Sequence, residues 1–264
     1  MCLIDDIICL VYEGNMVKLK IASFNIKNTG MKKEKEINSK VLIDFIKNRK
    51  IDILGTQELT KEYEKNINDK LFGYKFYGNY RLGNGIFSKN KYNECNMIIT
   101  NQKVSRHKTV HLPFVPKNIK VFFECLKKMS FSPRIATVIY FYIESIGKVR
   151  MINTHLEPRI SLIRKKQLEK IKKIISKEDC PTILTGDFNM QLNNNDFKQF
   201  IVELKKYNLS RVEINHATWN GNNGKLKVLD HIFIPGNWIV LDKGVIDNIS
   251  ISDHYPIYVE VEIE

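Results

Sequence analysis

Short stretches in which apolar and polar residues alternate recur along the chain and predict β-strands. Val17–Phe24 is the first such stretch, and Ile257–Ile263 is the last. Further apolar runs of strand length lie between them, at Ile51–Gly55, Val149–Ile152 and Ile232–Ile234, with a fourth at Thr182–Gly186. The pattern therefore predicts a protein built on sheets that extend from near the start of the chain to its last residues.

Two segments between these strands carry apolar residues at helical spacing. One stripe consists of Val41, Leu42, Phe45 and Ile46, and the other runs along Ser161–Ile175. The mixture of strands and helices predicts the α/β class. A length of 264 residues with 43% hydrophobic content is enough to bury a large core, and no linker, repeat or low-complexity stretch interrupts it. We predict one domain over residues 16–264, and interpret residues 1–15 as an extension without a catalytic role, which a misassigned start codon would explain.

Most of the predicted strands are flanked by a short polar cluster. The clusters supply Asn25, Glu58, Asn153-Thr154-His155, Asp187 with Asn189, Asp230, and Asp253-His254. Functional side chains often gather at the ends of sheet strands, so the repetition predicts one shared site. Taken singly, each cluster has a simpler interpretation: Gly186-Asp187 could form a turn, and Asp230-His231 could be a surface pair.

The pair Asp253-His254 stands at the opening of the last predicted strand. A carboxylate beside an imidazole holds a neutral histidine in one tautomer and makes it a better base. The hypothesis is that His254 is a catalytic base oriented by Asp253. A surface aspartate next to a packed histidine is the alternative.

Glu58 is a lone carboxylate after a predicted strand, which suits a hard divalent cation that retains several waters. No set of cysteine and histidine ligands with zinc spacing occurs in the sequence. The residues therefore favour magnesium over zinc, with Mn²⁺ able to substitute for Mg²⁺.

The net charge of +13 favours polyanionic partners, either nucleic acid or an anionic membrane. Basic residues concentrate between Lys103 and Lys128, interleaved with Phe114, Phe122 and Phe123. This arrangement is typical of nucleic-acid binding, although an ordinary basic hairpin or helix would explain it equally well. The five cysteines are scattered and odd in number, which favours a reducing, cytoplasmic location.

Seven motifs occur in a characteristic order along the chain. They are Ser23-Phe24-Asn25, Gln57-Glu58, Gly83-Asn84-Gly85-Ile86, Asn153-Thr154-His155-Leu156, Gly186-Asp187-Phe188-Asn189, Leu229-Asp230-His231-Ile232-Phe233 and Ser252-Asp253-His254-Tyr255-Pro256. In residues, order and spacing the series resembles the endonuclease/exonuclease/phosphatase family, from about Met16 to the last residue. The resemblance implies a deoxyribonuclease I-like fold: a four-layer α/β sandwich with two packed β-sheets flanked by helices.

The resemblance also implies roles for individual residues. It places Asn25 beside Glu58 in the metal and phosphate shell, and Asp187 with Asn189 where the attacking water is oriented and a phosphate oxygen is held. Asp230 would assist the metal site or His155. His155 would stabilise or protonate the phosphoryl oxygens, and His254 would take the proton from water.

Arg134 lies in Pro133-Arg134-Ile135-Ala136-Thr137-Val138, which resembles the family strand that carries an arginine toward the site. A guanidinium there could clamp the substrate phosphate through two hydrogen bonds, and a solvated strand arginine is the alternative. Arg164 and Gln167, on the helix after His155, resemble a family pairing near that loop, but a solvated helix face is the preferred interpretation.

These observations predict a magnesium-dependent phosphodiesterase that attacks the phosphate ester in line with water, most plausibly an endo- or exonuclease. The histidine in Asn153-Thr154-His155-Leu156 places the chain apart from exonuclease III-like members, which carry a tyrosine there, so abasic-site repair is disfavoured. A phosphoinositide phosphatase or sphingomyelinase-like enzyme is the alternative, and Leu112-Pro113-Phe114-Val115 is its candidate lipid-contacting loop. A binding protein without activity is a third hypothesis. A monomer without an obligate protein partner is expected.

Overall fold

The structure is a computed structural model that describes residues 16–27, 32–81, 94–114, 123, 133–221, 224–249 and 251–264. Several predicted features lie outside the described residues: the extension over 1–15, the Gly83-Asn84-Gly85-Ile86 motif, and most of the basic stretch beyond Phe114. Val115 of the candidate lipid-contacting loop is also outside them.

Two six-stranded sheets form the centre of the molecule. The strands of the first sheet are β1 (Val17–Asn25), β2 (Ile53–Gln57), β4 (Lys75–Tyr77), β6 (Ile98–Thr100), β15 (Ile239–Val245) and β16 (Ile257–Ile263). Those of the second sheet are β7 (Val104–His111), β8 (Ile135–Ile143), β9 (Gly147–His155), β10 (Thr182–Asp187), β11 (Leu209–Arg211) and β14 (Asp230–Pro235). Two short pairs complete the strands: β3 (Leu59–Thr60) with β5 (Glu94–Cys95), and β12 (Trp219–Asn220) with β13 (Leu226–Lys227).

Four α-helices cover the outer faces of the sheets in the described part of the chain. They are α1 (Lys32–Asn48), α2 (Lys61–Asn68), α3 (Ser161–Ile175) and α4 (Asn195–Leu204), and a short 3₁₀-helix at Lys205–Tyr207 follows α4. Helix α3 has the bounds that its apolar spacing predicts, and α1 contains the predicted stripe. None of the described helices is both long and apolar enough to cross a membrane.

Three apolar clusters separate the layers. Ile21, Met151 and Val259 belong to the cluster between the two sheets. A second cluster joins α1 and α2 to the first sheet, and a third joins α3 and α4 to the second sheet. The predicted four-layer α/β sandwich is therefore confirmed, and the burial of both sheet faces explains why the central strands are apolar on both sides.

Strand direction brings the polar clusters to one edge of the sandwich. In the first sheet β1 runs parallel to β2, and in the second β9 runs parallel to β10. The carboxyl ends of parallel strands meet at the same edge of a sheet, so the residues that end these strands become neighbours. Asp187 pairs with His155 on one side and with Asp230 of antiparallel β14 on the other.

Candidate active site

The candidate active site lies where the two sheets present these strand ends to each other. Asn25 ends β1 and Glu58 follows β2 in the first sheet, whereas His155 ends β9 and Asp187 ends β10 in the second. The Nδ2 amide of Asn25 donates a hydrogen bond of 3.1 Å to Asp187 Oδ2 across the gap between the sheets. The predicted gathering of these clusters is thus observed, and the site is shared by both sheets.

Asp187 is the centre of the site. Its Oδ2 lies 3.5 Å from His155 Nε2 and 3.6 Å from His254 Nε2, and its Oδ1 accepts a 2.8 Å hydrogen bond from the backbone N–H of Asn189. Burial raises the pKa of Asp187 to about 7, and the charge of Asp230 adds to this rise while His254 opposes it. A carboxyl group with such a pKa changes its protonation near neutral pH.

His254 is held by Asp230. Its Nδ1 donates a 2.8 Å hydrogen bond to Asp230 Oδ2, and the same oxygen accepts a 2.6 Å hydrogen bond from the Thr218 hydroxyl. Burial alone would lower the pKa of His254, but the charges of Asp230 and Asp187 outweigh it and raise the pKa to about 10. His254 is therefore an imidazolium at neutral pH.

The predicted partner of His254, Asp253, has different contacts. Its Oδ2 accepts a hydrogen bond from Trp219 Nε1 at 3.2 Å and lies 3.1 Å from Lys27 Nζ. The Asp253 carboxylate is therefore held by Trp219 and Lys27 and not by the ring of His254, although its charge contributes to the raised pKa of His254. The prediction that Asp253 orients His254 is wrong, and Asp230, expected to assist the metal site or His155, has that position instead.

The surroundings of His155 shift its pKa in the opposite direction to that of His254. Its Nδ1 lies 3.9 Å from Glu58 Oε1, yet burial and the positive charges of Arg134, Arg81 and His254 lower its pKa well below the ordinary value. His155 is therefore neutral at neutral pH, and one of its ring nitrogens carries a lone pair.

Arg134 is 7% exposed and its Nε has no hydrogen-bond partner among the described residues. Burial lowers its pKa, against the stabilising charges of Glu157 and Glu58. This burial contradicts the alternative of a solvated strand arginine.

Arg81, which the sequence analysis missed, donates from Nη1 to the Pro133 carbonyl at 3.0 Å and pairs with Glu94. Burial lowers the pKa of Arg81 to about 9.

The loop after His155 is fixed by α3. Arg164 Nη1 donates to the Glu157 carbonyl at 2.7 Å, and Gln167 Oε1 accepts from the Glu157 N–H at 2.9 Å. Both side chains are buried, so their interpretation as a solvated helix face is wrong.

Asp230 and His231 are also buried, at 1% exposure each, which excludes a surface pair. His231 Nε2 donates to the Met190 carbonyl, and burial lowers its pKa to about 4.

Two residues of the site adopt a left-handed backbone conformation, Glu58 with φ of +59° and Asn189 with φ of +52°. Non-glycine residues are strained in this region and hold it where the surroundings impose it, often at functional sites. The side chain of Glu58 is 25% exposed, whereas that of Asp187 is 2% exposed.

Oxygen donors of the kind that a hard, water-retaining cation prefers are present in the site. Glu58 supplies carboxylate oxygens at its exposed end, and the Asn25 amide oxygen, which accepts a 3.1 Å hydrogen bond from the Lys27 N–H, retains a second lone pair. Asp187, Asp230 and His254 also offer ligand atoms within 4.8 Å of one another. His254 Nδ1 and Asp230 Oδ2 are, however, hydrogen-bonded to each other at 2.8 Å, so these two atoms are already engaged. The residues present fit a magnesium-type ion at Glu58.

The two six-stranded sheets flanked by helices match the deoxyribonuclease I-like phosphoesterase fold. The family model for the Endonuclease/Exonuclease/phosphatase family matches residues 22–254, and the chain belongs to that family. Members of the family are hydrolases that act on phosphoester bonds.

Solved structures show the same fold at low sequence identity. An endonuclease/exonuclease/phosphatase family protein from Bacteroides thetaiotaomicron is 20% identical with a TM-score of 0.76, covering 95% of this chain and 100% of its own. The mannosyl-6-phosphatase Bt3783 from Bacteroides thetaiotaomicron VPI-5482 is 21% identical with a TM-score of 0.72, covering 92% and 99%. Truncated Caenorhabditis elegans TDP2 is 18% identical with a TM-score of 0.66, covering 93% and 98%. No curated protein matches the sequence.

Proposed function

We propose that the protein is a divalent-cation-dependent phosphodiesterase that hydrolyses nucleic acid by in-line attack of water. The observation that carries the proposal is the position of Asp187, whose Oδ2 lies within 3.6 Å of Nε2 of two histidines with opposite pKa shifts. Such a group of titratable side chains with separated pKa values is typical of acid–base catalysis.

Asp187 takes the proton from the attacking water in this proposal. A general base works best when its pKa lies near the operating pH, and the pKa of Asp187 is about 7. His254 was expected to be the base, but an imidazolium with a pKa of about 10 has no free nitrogen to accept a proton. Its positive charge instead stabilises the negative charge that develops on the phosphoryl oxygens.

The remaining residues bind and orient the phosphate. Asn189 is held by its Nδ2 bond to the Leu156 carbonyl at 3.0 Å, which keeps it beside Asp187. Neutral His155 and the guanidinium of Arg134 face the phosphate from the other side. Glu58 and Asn25 hold the cation, which when bound neutralises phosphate charge and polarises the phosphorus–oxygen bonds.

Nucleic acid is the proposed substrate because the chain carries a net charge of +13. The lipid or inositol phosphate alternative needs an exposed apolar loop or a dedicated basic pocket, and in the candidate loop Leu112 is buried and Pro113 and Phe114 are partly buried. The described part of that loop therefore offers no membrane-contacting surface.

A substrate panel tests the proposal. The purified protein is incubated with magnesium and single- or double-stranded DNA, RNA, bis-p-nitrophenyl phosphate, phosphoinositides, sphingomyelin or a sugar monophosphate. His254→Ala serves as the inactive variant, and His216→Ala, at an exposed histidine outside the site, serves as its matched control.

We expect cleavage of a nucleic acid by the wild type and by His216→Ala, with a loss of about a hundredfold or more in His254→Ala. Binding should also weaken steeply as salt rises, because each phosphate contact releases counterions. Turnover of the lipids or the sugar phosphate alone would contradict the nucleic-acid assignment, and full activity of His254→Ala would contradict the mechanism.

A further inference from the structure

A buried polar cluster lies between the two sheets, directly beneath the candidate active site. Its centre is Asn153 on β9, whose Nδ2 donates to the Thr56 carbonyl at 2.8 Å and to the Met97 carbonyl at 3.0 Å, both on the side of the first sheet. Its Oδ1 accepts from Gln57 Nε2 at 2.7 Å and from Thr185 Oγ1 at 3.3 Å. All four hydrogen-bonding capacities of this amide are used, and they join three strands of two sheets.

The members of this cluster precede the site residues on the same strands. Side chains two positions apart on a strand point to the same face. Three pairs have this spacing: Ser23 and Asn25, Asn153 and His155, Thr185 and Asp187. Gln57, which also donates to Ser23 Oγ at 3.1 Å, immediately precedes Glu58. The cluster is thus the layer of side chains next to the catalytic layer.

Close approach of the two sheets at this layer depends on Gly55. A Cβ atom at position 55 would lie 2.5 Å from Thr185 Oγ1 and 2.7 Å from Asn153 Oδ1. Any side chain there would push the second sheet away. Glycine on β2 therefore permits the amide of Asn153 to reach the backbone of the first sheet.

Stability alone does not account for the cluster. The rest of the interface between the sheets is apolar, and a well-packed apolar core is commonly as stable as a buried polar network. A network of directional bonds does fix one relative position of two surfaces, which apolar contacts specify less narrowly. The catalytic layer needs such a fixed position because Glu58 and Asn25 come from one sheet, whereas His155 and Asp187 come from the other.

We propose that Gln57, Asn153 and Thr185 are positioning residues that set the separation of the two sheets at the active site. They thereby fix the 3.1 Å contact between Asn25 and Asp187 and the 3.9 Å approach of Glu58 to His155. Their role in hydrolysis depends on the function proposed above.

A matched pair of variants on β10 tests this inference. Thr185→Val removes one bond of the cluster while keeping the shape of the side chain. Thr182→Val makes the same change on the same strand, where Thr182 Oγ1 accepts bonds of 3.1 and 2.8 Å from Arg150, away from the site. Thr185→Ser restores the hydroxyl and is the conservative control.

We expect Thr185→Val to lower kcat about tenfold with little change in KM, since small displacements of reacting groups are costly to the rate. Thr182→Val should lower Tm at least as much but keep wild-type kcat, and Thr185→Ser should recover most of the lost rate. Equal kcat in the two valine variants would overturn the inference.

Crystal structures of the two valine variants test the inference without any substrate. The distance from Asn25 Nδ2 to Asp187 Oδ2 should lengthen in Thr185→Val and stay at the wild-type value in Thr182→Val. An unchanged distance in Thr185→Val would overturn the positioning role even if the enzyme is active. A wild type without turnover on any phosphate ester would instead contradict the proposed function, and the crystallographic distances would still decide the role of the cluster.

Discussion

The two buried histidines of the site, His254 and His155, are chemically identical side chains in opposite electrostatic surroundings. His254 Nδ1 is bonded to Asp230, and its Nε2 faces Asp187. His155 faces Asp187 too, but the positive charges of Arg134 and Arg81 reach it from the other side. Burial lowers the pKa of both rings, and only His254 has enough nearby negative charge to reverse the effect.

This difference gives the site one protonated histidine and one neutral histidine, with the Asp187 carboxylate between them. A phosphoryl group bound there would meet a fixed positive charge on the side of His254 and a neutral ring on the side of His155. Asp187, whose pKa is about 7, can then exchange a proton without either histidine changing its charge.

Removing the shared carboxylate should have the largest effect on this arrangement. Asp187→Asn keeps the shape but cannot take a proton, so we expect kcat to fall about a thousandfold, within the range for loss of a general base. Steady-state kinetics on the cleaved polymer measure the effect. Asp242→Asn, at an exposed position bonded to Tyr258, is the control and should behave as wild type. A kcat for Asp187→Asn within threefold of wild type would show that another group is the base.

The next largest effect on kcat is expected when the carboxylate that is bonded to His254 is removed. Comparing Asp230→Asn with Asp253→Asn shows which aspartate is that partner. Asp230→Asn removes the charge bonded to His254 Nδ1, so His254 loses its proton more readily, and kcat should fall about a hundredfold. Asp253→Asn removes the contacts to Trp219 and Lys27 and a minor part of the charge that raises the pKa of His254, and it should cost little. The reverse order of kcat values would restore Asp253 as the orienting residue.

A smaller effect is expected at Glu58, beside His155. Glu58→Gln exchanges a carboxylate for an amide, which binds Mg²⁺ less strongly. The magnesium concentration for half-maximal rate should rise about tenfold, with partial recovery of the rate at saturating metal. A metal titration of wild type and variant measures this. Unchanged magnesium dependence, or a requirement for zinc, would remove Glu58 from the metal site.

A further effect, on stability and not on rate, follows from the raised pKa of His254. The folded pKa of His254 is raised from 6.5 to about 10, so its stabilisation is complete below pH 6.5 and is lost as the pH rises from 6.5 to 10. Denaturant unfolding of wild type and His254→Gln should show a difference in free energy that shrinks by at most about 1.4 kcal/mol per pH unit over that range. A difference that stays constant with pH would mean that His254 has an ordinary pKa.

Sequence patterns were sufficient for the parts of the site that depend on strand ends. Asn25, His155 and Asp187 end strands that were visible as apolar runs, and the parallel pairing of β1 with β2 and of β9 with β10 places them together. The resemblance to the family supplied the four-layer arrangement, which alternation alone does not specify.

Contacts between distant segments could not be predicted in this way. Asp253 is the neighbour of His254 in sequence, but Asp230 reaches the ring because β14 pairs with β10 beside Asp187. Thr218, which bonds to Asp230, lies in an irregular segment that carries no recognisable pattern. Arg164 is polar and lies on a helix, and its burial depends on how the loop after His155 folds over α3.

The charge states of the two histidines can be measured directly by NMR titration of the protein with ¹³C-labelled histidine, assigned through His155→Gln and His254→Gln. We predict that His254 remains protonated through neutral pH and titrates near 10, whereas His155 stays neutral down to well below pH 6.5. Titration of both rings near pH 6.5 would contradict the opposite charge states of the two histidines, and with them the assignment of Asp187 as the base.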